Sequence, residues 1–265
     1  MKQGNGSDKM KTDILHQLIE CLGAERDDFG GIRMPDTEQE MFRLYRSLVN
    51  IRPAIRADAH YLGLEDAYLT ALTKSKGITD IVDLLPVEDG IYLWQGDITT
   101  LRCCGIVNAA NSGMTGCWQP CHNCIDNCIH TFAGVRLRYQ CHQIMQEQGH
   151  PEPTGNAKIT PAYNLPCDYV IHTVGPIVEG RLNEAHCRLL ERCYKSCLEI
   201  AVQNSLENIA FCCISTGVFG FPQKEAARIA VNTVRNFRKN HSINVLFNVF
   251  KDEDYEIYKE LFGRN

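Results

Sequence analysis

The segment NIAFCCISTGVFGFPQKEAARIA, residues 208–230, gives the clearest indication of how this chain folds. It begins with an apolar run rich in branched and aromatic side chains, continues through a loop that contains glycine, and ends in apolar residues at helical spacing. Pro222 suits the first position of that helix, because proline has no backbone N–H and an N–H at that position would have no partner within the helix. A strand, a glycine-containing loop and a helix in this order predict an α/β protein.

The second half of the chain repeats this alternation. Five further apolar runs are typical of strands: GIYLWQGDIT (90–99), CGIVNAAN (104–111), NAKITPAYNL (156–165), DYVIHTVGP (168–176) and SINVLFNVF (242–250). Helical patterns lie near residues 127–148, 182–204, 222–239 and 252–263. We therefore expect a sheet that is covered by helices on both faces.

Residues 10–85 show helical patterns and few residues that carry chemistry. Three segments have apolar residues at helical spacing: DILHQLIECLGAE (13–25), PDTEQEMFRLYRSLVN (35–50) and LGLEDAYLTALTKSKG (62–77). The composition changes at LLPVEDG, residues 84–90. The sequence thus predicts a small helical region over residues 1–85, followed by an α/β domain over residues 86–265.

Composition and charge indicate a soluble globular protein. Of the 265 residues, 44% are hydrophobic and 22% are charged, and the formal net charge is −5. Non-specific nucleic-acid binding usually requires a basic excess, so we expect no nucleic-acid partner. The N-terminus lacks the apolar core of a signal peptide, and no run is long enough to cross a bilayer. We therefore expect a cytoplasmic protein with no membrane partner.

Cysteine is frequent, with 14 residues in the chain. Most lie beside apolar segments, where a free cysteine behaves as a small buried hydrophobe. The exception is GCWQPCHNCIDNCIHTF, residues 116–132, in which four cysteines and two histidines are spaced like metal ligands. Two alternatives are a redox pair of Cys121 and Cys124, and a closed structural zinc site built from all four cysteines.

Polar residues follow several of the predicted strands. Asp97 suits a turn cap, or an acceptor for an amine such as that of adenine. Asn108 and Asn111 suit a turn, or amides that bind a polyhydroxylated ligand. The loop at residues 215–220 suits a plain turn, or a cradle of backbone N–H groups for a diphosphate. His172 alternates with apolar residues and is expected to be a core residue.

Open α/β sheets bind ligands beyond the carboxyl ends of their strands, where these loops are predicted to lie. The motifs GDIT, NAAN, IHTVGP and ISTGVFGFP resemble, in order and spacing, those of the macrodomain family, which binds ADP-ribose. The resemblance covers about residues 88–265. It implies a macrodomain-like three-layer α/β/α sandwich with a mixed central sheet. The segment with the pattern C-x4-H-x-C, together with the preceding helical region, resembles the zinc-dependent branch of that family.

The resemblance to this branch implies a third interpretation of the cysteine-rich segment. Cys117, His122 and Cys124 match the branch's pattern and would bind Zn²⁺ with one coordination position open, as in catalytic zinc sites. Asp126 matches the aspartate of the related MacroD-type enzymes, which remove mono-ADP-ribose from acidic side chains. Asp126 and Asn111 would then be the catalytic residues.

The resemblance also implies how ADP-ribose is held. Asp97 and Ile98 would bind adenine, and Asn108 and Asn111 would orient the distal ribose. The remaining binding residues would be Ser215, Thr216, Gly217, Val218, Phe219 and Gly220, of which Phe219 would pack against the distal ribose. We expect a monomer that hydrolyses the bond between ADP-ribose and a protein side chain.

The implied partner is a mono-ADP-ribosylated protein. In the bacterial branch, this partner would be a lipoyl-carrier protein that a sirtuin-type transferase modifies. Two other functions remain open. A macrodomain that only reads ADP-ribose needs no metal, and a deacylase would act on free O-acyl-ADP-ribose.

Overall fold

The computed structural model of the chain describes residues 4–27, 30 and 33–263. The outer ends of the two predicted regions, at residues 1–3 and 264–265, therefore lie outside the described part. The helices are α1 (Gly4–Ala24), α2 (Glu38–Ile51), α3 (Ala59–Lys76), α4 (Ile125–Ala133), α5 (Val135–Gln148), α6 (Glu184–Gln203), α7 (Gln223–Arg238) and α8 (Asp252–Leu261). The strands are β1 (Thr79–Asp80), β2 (Ile91–Gln95), β3 (Leu101–Arg102), β4 (Gly105–Ala110), β5 (Ala157–Pro161), β6 (Tyr169–Val174), β7 (Asn208–Phe211) and β8 (Asn244–Val249).

The central sheet contains all six strands predicted from the apolar runs. Its order is β2-β8-β7-β4-β6-β5, and the two short strands β1 and β3 pair separately. All neighbours in the central sheet are parallel except β5, which runs antiparallel to β6. Helix α7 packs between α6 and α8, while α4 packs on β4 and α5 packs on β5. The predicted three-layer sandwich with a mixed sheet is confirmed.

Two details of the helices differ from the sequence prediction. The helix expected over residues 127–148 is divided into α4 and α5 at Gly134. This residue has a φ of 90°, and an added Cβ would lie 2.4 Å from a carboxylate oxygen of Glu65, so a larger residue does not fit. Pro222, predicted to be the first residue of its helix, instead occupies the N-cap position directly before the first residue of α7.

The N-terminal helices form a core of their own beside the sandwich. Its buried residues are Leu15, Leu18, Ile19, Leu22, Met41, Tyr45, Leu48, Val49, Tyr61, Tyr68, Leu69 and, from α5, Val135. The N-terminal helical region is thus confirmed, whereas its boundary at residue 85 stays a prediction. In the part of the chain that the structure describes, no helix is both long and apolar enough to cross a membrane.

A buried carboxylate joins this region to the sandwich. Glu65 on α3 is fully buried and accepts hydrogen bonds from the hydroxyls of Tyr45 (2.9 Å) and Tyr61 (3.1 Å). It also accepts from the N–H of Val135, at 3.0 Å to the nearer oxygen, and so caps the first turn of α5. Burial raises the pKa of Glu65 to about 7, although these hydrogen bonds act in the opposite direction.

Glu65 is therefore expected to make stability depend on pH. Its pKa lies above the ordinary value of 4.5, so the native state favours the neutral acid and loses stability as pH rises from 4.5 through 7. Over this interval, we expect the free energy of unfolding to fall by at most about 3 kcal/mol relative to Glu65→Gln. Urea unfolding of both proteins across this range measures the difference, and parallel pH profiles would contradict the expectation.

Candidate active site and metal-ligand cluster

The candidate site lies where the parallel strands end. Asp97 follows β2, Asn108 lies on β4, and the loop at residues 215–220 follows β7. Strands β2, β8, β7 and β4 are consecutive in the sheet and parallel, so their carboxyl ends share one edge. The structure thus brings the predicted adenine, ribose and diphosphate residues to one edge of the sheet, where open α/β sheets bind ligands.

Asp126 lies in the first turn of α4, between two asparagine amides. The Asn108 Nδ2 donates to Asp126 Oδ1 at 2.8 Å, and the Asn111 Nδ2 donates to Asp126 Oδ2 at 3.3 Å. Asn111 also donates to the carbonyl of Gly116 at 3.0 Å. The two NAAN amides therefore fix the orientation of the carboxylate from the strand side.

Burial dominates the electrostatics of this carboxylate. It raises the pKa of Asp126 to about 6, while the Asn108 hydrogen bond and the charge of Arg138 lower it. His130 Nε2 lies 3.6 Å from Asp126 Oδ1, and burial holds the pKa of His130 well below its ordinary value. Both ring nitrogens of His130 are buried, and neither has a hydrogen-bond partner within the described residues. Asp126 is thus a hydrogen-bond acceptor that is largely shielded from solvent.

The predicted core position of His172 is confirmed. Its Nδ1 lies 3.1 Å from the Asn108 Nδ2, and its Nε2 lies 3.0 Å from the Thr160 hydroxyl. If Asn108 donates to both Asp126 and His172, the proton of His172 is on Nε2 and points to Thr160. Burial lowers the pKa of His172 to about 3, so the ring is neutral. The neutral histidine thereby fixes the orientation of the Asn108 amide, so that its Nδ2 points to Asp126.

The structure brings Cys117, His122 and Cys124 together. One ligand atom from each lies within 4.8 Å of the others, and Cys117 Sγ is 3.5 Å from His122 Nδ1. Two thiolates and an imidazole are donors that zinc prefers, and three of them leave a tetrahedral site with one open position. All three residues are partly exposed, so an ion can reach them. This donor set fits the implied Zn²⁺.

The other two cysteines of the segment point away from this cluster. Cys121 Sγ donates to the carbonyl of Arg43 at 3.3 Å, and Cys128 Sγ lies 3.6 Å from an Arg46 nitrogen. These contacts disfavour a site built from all four cysteines. In the metal-free protein, burial raises the pKa of the Cys124 thiol, whereas the reactive thiol of a redox pair has a lowered pKa. The three-ligand interpretation therefore fits the geometry best.

Asp97 performs the capping role that its position suggested. Its Oδ1 accepts from the Thr99 N–H at 3.0 Å and from the Thr99 hydroxyl at 2.6 Å. Its Oδ2 accepts from Lys76 of α3 at 3.0 Å, and the neighbouring Ile98 is buried. The side chain is still partly exposed, so capping and binding of an amine are compatible. The assignment of adenine to Asp97 and Ile98 stays a prediction.

The loop at residues 215–220 leaves several of its backbone N–H groups without an acceptor among the described residues. Ser215 and Gly220 have φ values of 65° and 68°, and Phe219 accepts from the N–H of Val178 at 2.8 Å. Between these fixed points, the N–H groups of residues 217–219 donate to no acceptor in the described part of the chain. Consecutive free N–H groups at a loop before a helix are typical of phosphate sites.

Sequence reasoning missed two residues near Asp97. Phe250 follows β8, whose neighbour β2 leads to Asp97, and its side chain is 75% exposed. An exposed ring here offers a face for a base to stack on. An aromatic residue directly after a buried strand, in NVLFNVF, was the available signal. Lys76 gave no such signal, because its contact with Asp97 depends on how α3 packs.

Comparisons with known proteins identify relatives of this chain. Residues 107–230 match the Macro domain family. A protein-ADP-ribose hydrolase of Treponema medium is 54% identical over 252 residues, which cover 93% of this chain and 97% of that protein. A probable bifunctional ADP-ribose hydrolase/ADP-ribosyltransferase of Fusarium oxysporum is 42% identical over 75% of this chain but only 37% of its own length.

A solved structure extends the agreement to three dimensions. The Trypanosoma brucei macrodomain in complex with ADP-ribose superposes with a TM-score of 0.64 at 29% identity, covering 82% of this chain and 94% of that one. Because the similarity to the Treponema protein spans nearly the whole of both sequences and the sandwich is shared, this chain belongs to the Macro domain family.

Proposed function

We propose that this chain is a zinc-dependent hydrolase that removes mono-ADP-ribose from modified protein side chains. The observation that carries the proposal is the position of Asp126. It is held by Asn108 and Asn111, and it lies two residues beyond Cys124 of the metal-ligand cluster. A domain that only binds ADP-ribose has no use for a buried carboxylate beside a metal site. The hydrolase names of the relatives support the same activity.

Different residues at this edge of the sheet would bind the different parts of ADP-ribose. Asp97 and the backbone of Ile98 would hold adenine, and the N–H groups of residues 217–219 would bind the diphosphate. Ser215, Thr216 and Gly220 shape this loop, while Phe219 packs against the distal ribose. Asn108 and Asn111 would orient that ribose beside Asp126. These contacts fix the scissile bond against the carboxylate and reduce the entropic part of the barrier.

The chemical step then depends on the position of Asp126. Its carboxylate would orient the attacking water and accept its proton as a general base. Cys117, His122 and Cys124 would hold Zn²⁺, which when bound supplies a Lewis acid that stabilises developing negative charge. The amides of Asn108 and Asn111 keep the carboxylate oxygens in place throughout.

Product analysis distinguishes this proposal from its two rivals. The purified chain is incubated with a protein that carries labelled mono-ADP-ribose, and the released label is identified by chromatography. We expect free ADP-ribose and unmodified protein. Tight binding without release would indicate a reader, and release only from O-acyl-ADP-ribose would indicate a deacylase.

The partner is proposed by chemical class. The name of the Fusarium relative joins a hydrolase to an ADP-ribosyltransferase, which supports a substrate made by a protein-modifying transferase. A lipoyl-carrier protein modified by a sirtuin-type transferase is our candidate in the cytoplasm, with this chain acting as a monomer. Incubation with modified carrier protein, compared with a modified unrelated protein, tests this preference.

The adenine contact predicts a separable effect on binding. Asp97→Ala should weaken ADP-ribose binding by about 10- to 100-fold, because a charge-assisted hydrogen bond contributes about 1.5–3 kcal/mol. The zinc content should stay the same, since Asp97 lies on another loop. Calorimetry measures the affinity, and an unchanged value would mean that Asp97 is only a cap for Thr99.

A further inference from the structure

We infer that Arg46 and Asn50 of α2 are positioning residues for the metal site, which they serve by holding residues 117–124, here called the ligand loop. The N-terminal helical region would then be a functional part of the metal centre. This inference rests on the proposed function, because it assumes that Cys117, His122 and Cys124 bind zinc.

Arg46 contacts the ligand loop at His122 and Asn123, just before the ligand Cys124. One guanidinium nitrogen donates to the carbonyl of His122 at 2.6 Å and to the Asn127 Oδ1 at 3.0 Å. The other donates to the Asn123 Oδ1 at 3.2 Å. A planar guanidinium presents its donors in a fixed fork, so these bonds set the direction of the loop as well as its distance. Arg46 thus fixes the backbone between His122 and Cys124.

Asn127 transmits this contact to the start of the loop. Its side chain is fully buried, and its Nδ2 donates to the carbonyls of Gln119 (3.0 Å) and Cys117 (3.4 Å). Its backbone N–H also donates to Cys124 Sγ at 3.4 Å. The residue that accepts from Arg46 therefore touches two of the three ligands.

Asn50 holds a strained point of the same loop. Its Oδ1 accepts from the N–H of Cys121 at 2.9 Å, and its Nδ2 donates to the Thr131 hydroxyl at 3.0 Å. Cys121 has a φ of 54°, a left-handed conformation that is unfavourable for a residue with a side chain. Since Asn50 is only 1% exposed, this hydrogen bond is shielded from water and can hold the turn just before His122.

The end of α2 is itself fixed against the sandwich. Arg138 of α5 donates to the carbonyls of Val49, Asn50 and Arg52, at 2.8 to 3.0 Å. Its guanidinium also lies 4.3 Å from the ring centre of Trp118 in the ligand loop. Helix α2 therefore offers a rigid support to which the loop is attached at several points.

This support has a defined thermodynamic consequence. Ordering a loop costs about 1–2 kcal/mol of conformational entropy per residue. If the loop is ordered only when the metal binds, this cost weakens the metal affinity. Partners outside the ligand set typically change metal affinity by about 10- to 100-fold. If α2 only packed on the loop, its polar substitutions would change the stability of the fold and leave the affinity for zinc unchanged.

The test compares Arg46→Gln with Arg43→Gln in the full-length chain. Both variants remove one positive charge from α2, but the Arg43 side chain is exposed and only its carbonyl contacts the loop. The affinity for zinc is measured by competition with a chromophoric chelator, and the thermal unfolding of each zinc-free protein is measured in parallel. Arg46→Lys keeps the charge without the fork and serves as the second variant if Arg46→Gln does not fold.

We expect Arg46→Gln to bind zinc at least about 10-fold more weakly than Arg43→Gln, with Arg46→Lys between them. The unfolding temperatures of the zinc-free proteins should be similar. Equal affinities of the Arg46 and Arg43 variants would overturn the inference, as would a loss explained entirely by a smaller folded fraction. A wild-type chain that binds no zinc would instead overturn the proposed function and this inference with it.

Discussion

Asp126→Asn is expected to lower the rate of ADP-ribose release by at least about 1,000-fold, within the range lost when a general base is removed. Asparagine has nearly the same shape but cannot accept a proton from water at neutral pH. A fall of that size corresponds to about 4 kcal/mol of lost transition-state stabilisation. Asp126 is only 5% exposed, so a water molecule from bulk solvent is poorly placed to replace its carboxylate as the general base.

Two controls separate catalysis from assembly in this variant. The zinc content should match that of the wild type, because Asp126 is outside the ligand set. The affinity for ADP-ribose should change by only a few-fold, since adenine and diphosphate bind on other loops. Retention of more than about a tenth of the rate would show that Asp126 is not the base.

Removal of zinc is expected to abolish most of the activity while the fold persists. The sheet and its helices surround an extensive apolar core that does not include the ligand loop, so circular dichroism should stay native-like after chelation. The rate should fall by at least about 100-fold, or about 2.7 kcal/mol, a modest contribution for a Lewis acid. Unfolding on chelation would indicate a structural ion instead.

Substitution of the ligands tests the same point without a chelator. His122→Ala should lose most of the bound zinc, whereas Cys121→Ser should keep about one zinc per chain, because Cys121 Sγ faces the carbonyl of Arg43. Metal analysis of both proteins provides the comparison. Full zinc content in His122→Ala would remove this residue from the ligand set.

The strands and their loops were predictable because their signals are local. Buried parallel strands appear as continuous apolar runs, and the residues that follow them meet at one edge of the sheet. The division between α4 and α5 was not predictable, because Gly134 breaks the helix to admit Glu65, which lies far away in the sequence. The spacing around Gly134 remains helical on both sides.

The candidate site shows the same division between local and distant signals. Cys117, His122 and Cys124 are close in sequence, so their spacing indicated a metal site, and the resemblance to the zinc-dependent branch indicated which three residues would be the ligands. The contacts of Arg46 and Lys76 join helices of the N-terminal region to loops of the sandwich. Residues on exposed helix faces carry no signal that distinguishes such partners from solvated charges. Only the packing of the two regions reveals them.

Zinc titration of the metal-free chain tests the central claim most directly. The chain is stripped of metal, its fold is verified, and the rate of ADP-ribose release from mono-ADP-ribosylated protein is measured as zinc is added. We expect a rate close to background without metal, and recovery that saturates at about one zinc per chain. Full activity in verified zinc-free protein, unchanged by added zinc, would contradict the claim.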